Sequence, residues 1–163
     1  MGSLFDVKTR NELADVLNIP RRHLTYILYI QRPDNCYTTF EIPKKSGGIR
    51  VISAPSSALK EIQVTLAEKL WECQQKIWQQ YNIQPNIAHA FIPKKSTITN
   101  AQIHCKKRYV LNLDLKDFFD HFHFGRVIGY FEKNNNFCFP HEVAVAITQL
   151  ACYKGRLPQG APT

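Results

Sequence analysis

Apolar positions along the 163-residue chain recur with two different periods, and each period marks a kind of element. Leu13, Val16 and Leu17 fall on one helical face, and Thr9 and Glu12 before them have the spacing of a capping box. Pro20 stops that helix and opens a second, "PRRHLTYILYI". Two short helices with a tight joint fit a helix-turn-helix or a packed helical hairpin, and the pattern favours the hairpin. β-Formers then flank "KKSGG", which predicts a β-hairpin whose turn draws on Gly47 and Gly48 for positive φ, with Pro55 ending its second arm. Leu59, Ile62, Leu66, Leu70, Cys73 and Ile77 recur at three and four, the buried stripe of one long helix over 57–81 that "NIQPN" breaks.

A short helix is expected from Thr99 to the run Lys106-Lys107-Arg108. Strict alternation follows in "YVLNLDL", with Leu111, Leu113 and Leu115 pointing one way and Val110, Asn112 and Asp114 the other. This predicts a strand whose leucine face enters the core. Asp114 at its end then looks onto a cleft or solvent, because burying an unpaired carboxylate is costly. "KDFFDHFHFGRVIGYF" is expected to continue as an aromatic-rich helix capped by Asp117. The last helix is expected from Pro140 to Gly155, with Val143, Ile147 and Leu150 on its apolar face, before the loop "RLPQGAPT". Helices, hairpin, long helix, strand and two more helices make an α+β chain.

Composition adds a globular class, with 44% hydrophobic residues and no apolar run long enough to span a bilayer. The N-terminus lacks a signal-peptide pattern, and Asp6 breaks the myristoylation motif that Met1-Gly2 begins. Five scattered cysteines without C-x-x-C suit reduced thiols in a cytoplasm better than a disulfide framework. The net charge of +8 favours a polyanionic partner, and the clusters place it: Lys44, Lys45 and Arg50 at the hairpin tip, Lys94-Lys95, and Lys106-Lys107-Arg108. Tyr37, Phe40, Phe91 and Tyr109 lie beside these clusters in sequence and offer stacking surfaces for bases, although aromatics are also ordinary core. "IPKKS" occurs at 42–46 and again at 92–96, two copies that are either coincidence or two similar phosphate-facing loops.

Three constellations carry candidate chemistry. Asp114 at a strand-to-helix junction, with a backbone carbonyl one residue on, is a platform for a hard cation; it equally suits a helix cap or a partner for Lys116 or Arg108. The lysine-rich loops present donors to phosphate oxygens, or form solvated turns. His121, His123, Cys138 and His141 supply four zinc-ligand types at spacings that match no familiar zinc motif. No nucleophile elbow or Walker loop is present.

Taken in order, these blocks resemble a bacterial retron-type reverse transcriptase, related also to group II intron enzymes. "FEIPKKSGGIRVISAPSSALKEIQ" is similar to the first fingers block, and "AHAFIPKKSTITNAQIHCKKRYVLNLDLKDFFDHF" to the second block running into polymerase motif A. "NAQIH" matches the N-A-x-x-H signature of retron enzymes, and "LPQGAPT" resembles the start of motif B. The resemblance implies the fingers and part of the palm of a right-hand polymerase, with thumb and motif C absent. It implies a helical extension at 1–35, fingers at 36–108 and partial palm at 109–163.

By the same resemblance Asp114 holds two Mg2+ ions, with the Leu115 carbonyl joining one. Lys45 and Arg50 clamp the incoming triphosphate, Phe119 is a steric gate against a 2′-hydroxyl, and Gln159 and Gly160 lie beneath nucleotide and template. Asn100 and His104 sit near a structured noncoding RNA, contacted also by Lys44, Lys94, Lys95, Lys106, Lys107 and Arg108. The implied partners are that RNA, the RNA/DNA hybrid, dNTPs and an effector protein, with no membrane. Ala90 departs from a glycine that the family often carries. A larger departure is that no two acids are adjacent anywhere in the chain and only Glu132 and Glu142 follow Asp120, so the acid pair of motif C is missing. The expectation is therefore a truncated, catalytically incomplete fragment that binds its two metal ions at best partly. The competing expectation is a noncatalytic nucleic-acid-binding module.

Overall fold

A computed structural model describes residues 2–44, 47–83, 88–90, 92–115 and 118–162, with the side chain of Asp120 excepted. The chain forms two compact units, one of residues 1–74 and 117–163 and the other of residues 75–116.

The first unit begins with α1 (Arg10–Val16). Its capping box is the one expected: the Thr9 hydroxyl accepts from the Glu12 amide, and the Glu12 carboxylate accepts from the Lys8 and Thr9 amides. α2 (Arg21–Thr25) follows Pro20 and runs on through a π-turn (Tyr26–Gln31). Leu13, Ala14, Leu17, Leu24, Ile27 and Leu28 are all buried, so the pair is a packed hairpin with its apolar faces turned inward. A fork of two bonds from the Arg21 guanidinium to Asp15, 3.0 and 2.6 Å, closes its surface side. That ion pair holds the Asp15 carboxyl below its usual range.

β1 (Tyr37–Pro43) and β2 (Ile49–Pro55) pair antiparallel in register from Tyr37 opposite Pro55 to Pro43 opposite Ile49. Gly47 and Gly48 have φ of 86° and 89°, as the turn requires. The long helix α3 (Ser57–Gln80), whose residues 75–80 belong to the second unit, buries Leu59, Ile62, Leu66, Cys73 and Ile77 along the expected stripe, with Leu70 half-buried. α5 (Phe124–Lys133) packs on α6 (His141–Ala151), whose Val143, Ala144, Ala146, Ile147 and Leu150 are fully buried. Phe131, Phe137 and Phe139 fill the space beside them, with ring centroids 5.5–5.9 Å apart.

Within this core Gln63 is fully buried on α3. Its Nε2 donates to the Leu150 carbonyl at 2.7 Å and to the Tyr37 hydroxyl at 2.8 Å. Leu150 lies in the last turn of α6, where carbonyls have no partner within the helix, so the amide of Gln63 caps α6 from outside. One side chain thus joins α3, α6 and the first residue of β1.

The second unit holds α4 (Thr97–His104), which begins two residues before the expected Thr99. Ser96 is its N-cap, in a reciprocal box with Thr99. The His89 ring contributes a further bond, Nδ1 to the Thr99 hydroxyl at 2.8 Å.

Three expectations are corrected. Residues 109–115 are not a strand; among the described residues the only sheet is the β1–β2 pair. The leucine face does not enter a core either, since Leu111, Leu113 and Leu115 are 81%, 79% and 69% exposed. Alternation supplies two faces, but a strand also needs a neighbour to take its backbone hydrogen bonds, and here none is paired with it. The segment after it is not one helix. A 3-10 turn (Phe118–His121) is separated from α5, whose N-cap is His123, its ring nitrogen accepting from the Arg126 amide. The expected cap Asp117 lies outside the described residues. Last, α6 ends at Ala151, and Gly155 belongs to the turn beyond. No described helix is long and apolar enough to cross a membrane.

Replacing Gln63 by Ala removes both bonds and leaves a buried carbonyl and a half-buried phenol without them. We expect a loss of about 2–4 kcal/mol in urea denaturation, with the same slope as the parent chain. Burial, aided by the charge of Asp34, also pushes the Cys152 thiol up from 9.0 to about 11. A neutral thiol is then favoured in the folded state. Its stabilising contribution is complete below pH 9 and is lost as pH rises toward 11. Denaturation midpoints should fall across that window by less in Cys152→Ala than in the parent chain.

Candidate functional site

After α6 the chain turns back through residues 152–162, and this return assembles the first unit's candidate site. The Phe124 amide donates to the Gly155 carbonyl at 2.8 Å, and the Leu157 amide to the Phe122 carbonyl at 3.1 Å. The loop then reaches β2, where the Ser53 amide donates to the Gln159 carbonyl at 3.3 Å. That bond satisfies a donor on the β2 edge facing away from β1. Gly160 sits against the same strand with φ of 108°; a Cβ there would lie 3.0 Å from Ile52 Cγ2 and 3.5 Å from the Ser53 carbonyl. Only glycine fits both the backbone angle and the space.

Side chains two apart on a strand share a face. Arg50 therefore shares the face of Ile52, on which Gly160 rests, with Ile42 and Phe40 opposite on β1. Arg50 is exposed, and Phe40 and Ile42 remain 47% and 43% exposed. Phe119 is half-buried in the 3-10 turn, edge-on to Phe118 with centroids 5.5 Å apart; Phe118 in turn meets Phe122, whose carbonyl holds Leu157. Four of the sequence-predicted nucleotide residues, Arg50, Phe119, Gln159 and Gly160, are thus linked through one unit. Lys45 lies outside the described residues. Lys44 is exposed at the hairpin tip, where its amide donates to the Gly48 carbonyl.

The second unit carries the remaining candidates. Asp114 is exposed and makes no hydrogen bond or ion pair among the described residues; Leu115 beside it is exposed too. The suggested pairing of Asp114 with Arg108 is not made. Arg108 lies over the Tyr109 ring at 5.2 Å instead. The other suggested partner, Lys116, is outside the described residues. Asn100 and His104 are exposed one turn apart on α4, and Lys106 and Lys107 follow in the open. Lys94 is exposed with φ of 65°, and Lys95 is half-buried. Phe91, one of the aromatics, is not among the described residues.

The zinc grouping is not formed. Among the described residues no three His, Cys, Asp or Glu side chains come together to hold a metal ion. His123 caps α5, His141 pairs with Glu132 at 2.5 Å, and the Cys138 thiol donates to the Asn134 carbonyl. What the sequence did not reveal is the support of the loop. The Ser53 amide and the Phe122 carbonyl carry no side-chain signal, and Asp34, which accepts from the Lys154 amide at 2.8 Å, is 120 residues away in sequence.

A family described as reverse transcriptase (RNA-dependent DNA polymerase) matches residues 42–162. Among similar proteins, Retron Mx65 reverse transcriptase of Myxococcus xanthus is 41% identical over 93 residues, which cover 57% of this chain and 20% of that protein. Retron Ec86 reverse transcriptase of Escherichia coli is 29% identical over 161 residues, 94% of this chain and 45% of its own length. Retron Se72 reverse transcriptase of Salmonella heidelberg is 28% identical over 155 residues, again 94% of this chain and 38% of that protein. The chain spans less than half the length of these relatives.

The matched region contains both β2 and the loop seated on it. Gly160→Ala should unseat that loop, since the backbone angle alone costs a non-glycine residue about 1–3 kcal/mol. Hydrogen exchange at the Ser53 amide should quicken by about tenfold or more, while exchange in α6 stays as in the parent chain.

Proposed function

We propose that this chain, which belongs to the reverse transcriptase (RNA-dependent DNA polymerase) family, is the nucleotide- and template-facing part of a retron-type RNA-directed DNA polymerase that copies a structured noncoding RNA. The observation that carries the reading is the seating of Gln159 and Gly160 on the strand face that presents Arg50. Two segments distant in sequence meet there, and the loop is bonded in turn to the segment of Phe119 and Phe122; each comes from a block that resembles a nucleotide-handling part of the family. In this reading residues 1–35 are a helical extension, 36–108 fingers and 109–163 part of a palm.

Each side chain then has a physical task. The guanidinium of Arg50 donates a planar fork to phosphate oxygens of an incoming dNTP; Lys44 adds charge at the same tip, and Lys45, next in sequence, adds a second ammonium for the triphosphate. The absent side chain of Gly160 lets the loop lie directly against Ile52, which sets the height of the backbone on which a base or template strand rests. Phe119 is held edge-on by Phe118, and a ring so fixed crowds a 2′-hydroxyl while tolerating hydrogen at that position. Asn100, His104, Lys94, Lys95, Lys106, Lys107 and Arg108 face RNA phosphates, which accounts for the excess positive charge.

The donors at Asp114 and Leu115 are hard oxygens, of the class that suits magnesium, and the Asp114 carboxylate is exposed without a protein partner among the described residues. Two oxygens do not complete a coordination sphere, so phosphate, water and further carboxylates would have to fill it. When bound, magnesium supplies activation of the attacking 3′-hydroxyl and charge neutralisation at the leaving pyrophosphate. The second unit's own contribution is an exposed carboxylate for the cation, and the first unit's is positive charge for the triphosphate.

The reading is tested by primer extension on an RNA template with a polymerase-competent protein that carries this chain. Asp114→Asn should reduce DNA synthesis to background while RNA affinity changes by less than about twofold, because phosphate binding rests on the lysines and arginines. The isolated 163-residue chain, with its lone carboxylate, should bind RNA and incorporate no dNTP. Undiminished synthesis by the Asp114→Asn protein would remove that residue from the mechanism.

A further inference from the structure

The return loop is fastened at a point that the nucleotide reading does not use. Asp34, in the 3-10 turn Pro33–Cys36, accepts from the Lys154 amide through Oδ1 at 2.8 Å. Lys154 stands with φ of 48° between Tyr153 and Gly155, a left-handed position that a lysine does not favour by itself. The turn around it is closed by a reciprocal pair: the Tyr153 amide donates to the Arg156 carbonyl at 2.8 Å and the Arg156 amide to the Tyr153 carbonyl at 3.1 Å. The neighbouring ring is fastened as well, since Tyr153 stacks on Tyr37 with centroids 4.4 Å apart. Asp34 and Tyr37 thus hold the same turn from either side of Cys36, itself buried and bonded through its carbonyl to the Ser56 amide at 2.6 Å.

The turn leads straight into the functional loop. One residue beyond Arg156, Leu157 is bonded to Phe122; two further, Gln159 is bonded to Ser53. The reach from Lys154 to Gly160 is only six residues, and the first half of it is fixed by the Asp34 bond, the Tyr153–Arg156 pair and the Gly155–Phe124 bond. A left-handed residue at the head of so short a span sets the direction of all that follows. Loss of the bond that holds it would free the exit of the turn and, with it, the seating of Gln159 and Gly160 on β2.

We propose that Asp34 is a positioning residue for the loop that carries Gln159 and Gly160, and that through this loop the N-terminal helical segment sets the affinity of the polymerase for its incoming nucleotide. The inference rests on the nucleotide reading of Gln159 and Gly160. Its mechanical half stands apart from that reading and can be measured without turnover. The chemistry required of Asp34 is modest: an oxygen that accepts a backbone N–H. Asparagine supplies the same oxygen on the same frame, and alanine supplies none.

Two measurements decide it. In the 163-residue chain, Asp34→Ala should quicken hydrogen exchange at the Lys154, Leu157 and Ser53 amides, while the α6 amides and the circular dichroism spectrum are unchanged; Asp34→Asn should restore parental exchange. In the complete polymerase, Asp34→Ala should raise the KM for dNTP about fivefold, the factor that one net hydrogen bond is worth. kcat and RNA affinity should hold, and Asp34→Asn should again restore the parental value. Unchanged exchange at Leu157 and Ser53 in Asp34→Ala overturns the brace. Quickened exchange with an unchanged KM in an active enzyme overturns the link to nucleotide affinity. Lack of dNTP incorporation by the complete wild-type protein would instead strike the polymerase reading, and the exchange data would still decide whether Asp34 holds the loop.

Discussion

The carboxamide of Gln63 occupies the place where an amphipathic helix would ordinarily put another leucine. From there it caps the last turn of α6 and fixes the hydroxyl of Tyr37 at the root of β1. Its own Oε1 is buried with no hydrogen-bond partner among the described residues, which raises the stake of the two bonds that the nitrogen makes. Much of the first unit depends on this arrangement. α6 is the most deeply buried helix of the unit, and its C-terminus has to be satisfied by something inside the protein rather than by water. Tyr37, held by Gln63, is also the ring on which Tyr153 stacks, so the same amide that ends α6 helps to aim the chain that leaves it.

That exit explains how a hairpin with little burial of its own becomes a platform. β1 and β2 have mostly exposed residues and would be a weak ribbon in isolation. The returning loop covers the outer edge of β2 through the Ser53–Gln159 bond and presses a glycine onto Ile52. The strand gains a neighbour on its open side, and the loop gains a fixed height above the face that bears Arg50. Stability and the proposed chemistry are served by the same contacts, which is why backbone atoms, rather than reactive side chains, do most of the positioning.

The second unit follows another logic. What it presents is charge and a carboxylate in open surroundings: Lys106, Lys107 and Arg108 after α4, then Asp114. Solvated cations keep their full reach toward a polyanion at low ionic strength and lose it as salt is added. A carboxylate with no protein partner among the described residues keeps its lone pairs for a cation. The exposure of Leu111, Leu113 and Leu115 beside it is the cost of a β-patterned segment without a pairing partner among the described residues.

The sequence by itself determined the local elements and the family. Capping residues Thr9 and Glu12, the stripe from Leu59 to Ile77, the Gly47-Gly48 turn and the apolar face of α6 act over a few residues, and each formed where its own pattern put it. The ordered blocks around "IPKKSGG", "NAQIH" and "LPQGAPT" pointed to the same family that matches residues 42–162. Only the tertiary structure decided what needs a partner from elsewhere in the chain. The alternation of 109–115 could not say whether a neighbouring strand exists, the aromatic run after it could not show that His123 restarts the helix, and a polar Gln63 inside an apolar stripe gave no hint of its two acceptors. The bonds from Ser53 to Gln159 and from Lys154 to Asp34 are of the same kind. Local patterns fix conformations because the interactions that select them lie within one turn or one hairpin. Burial and long-range hydrogen bonds are properties of pairs, and the second member of each pair is chosen only when the chain comes back on itself.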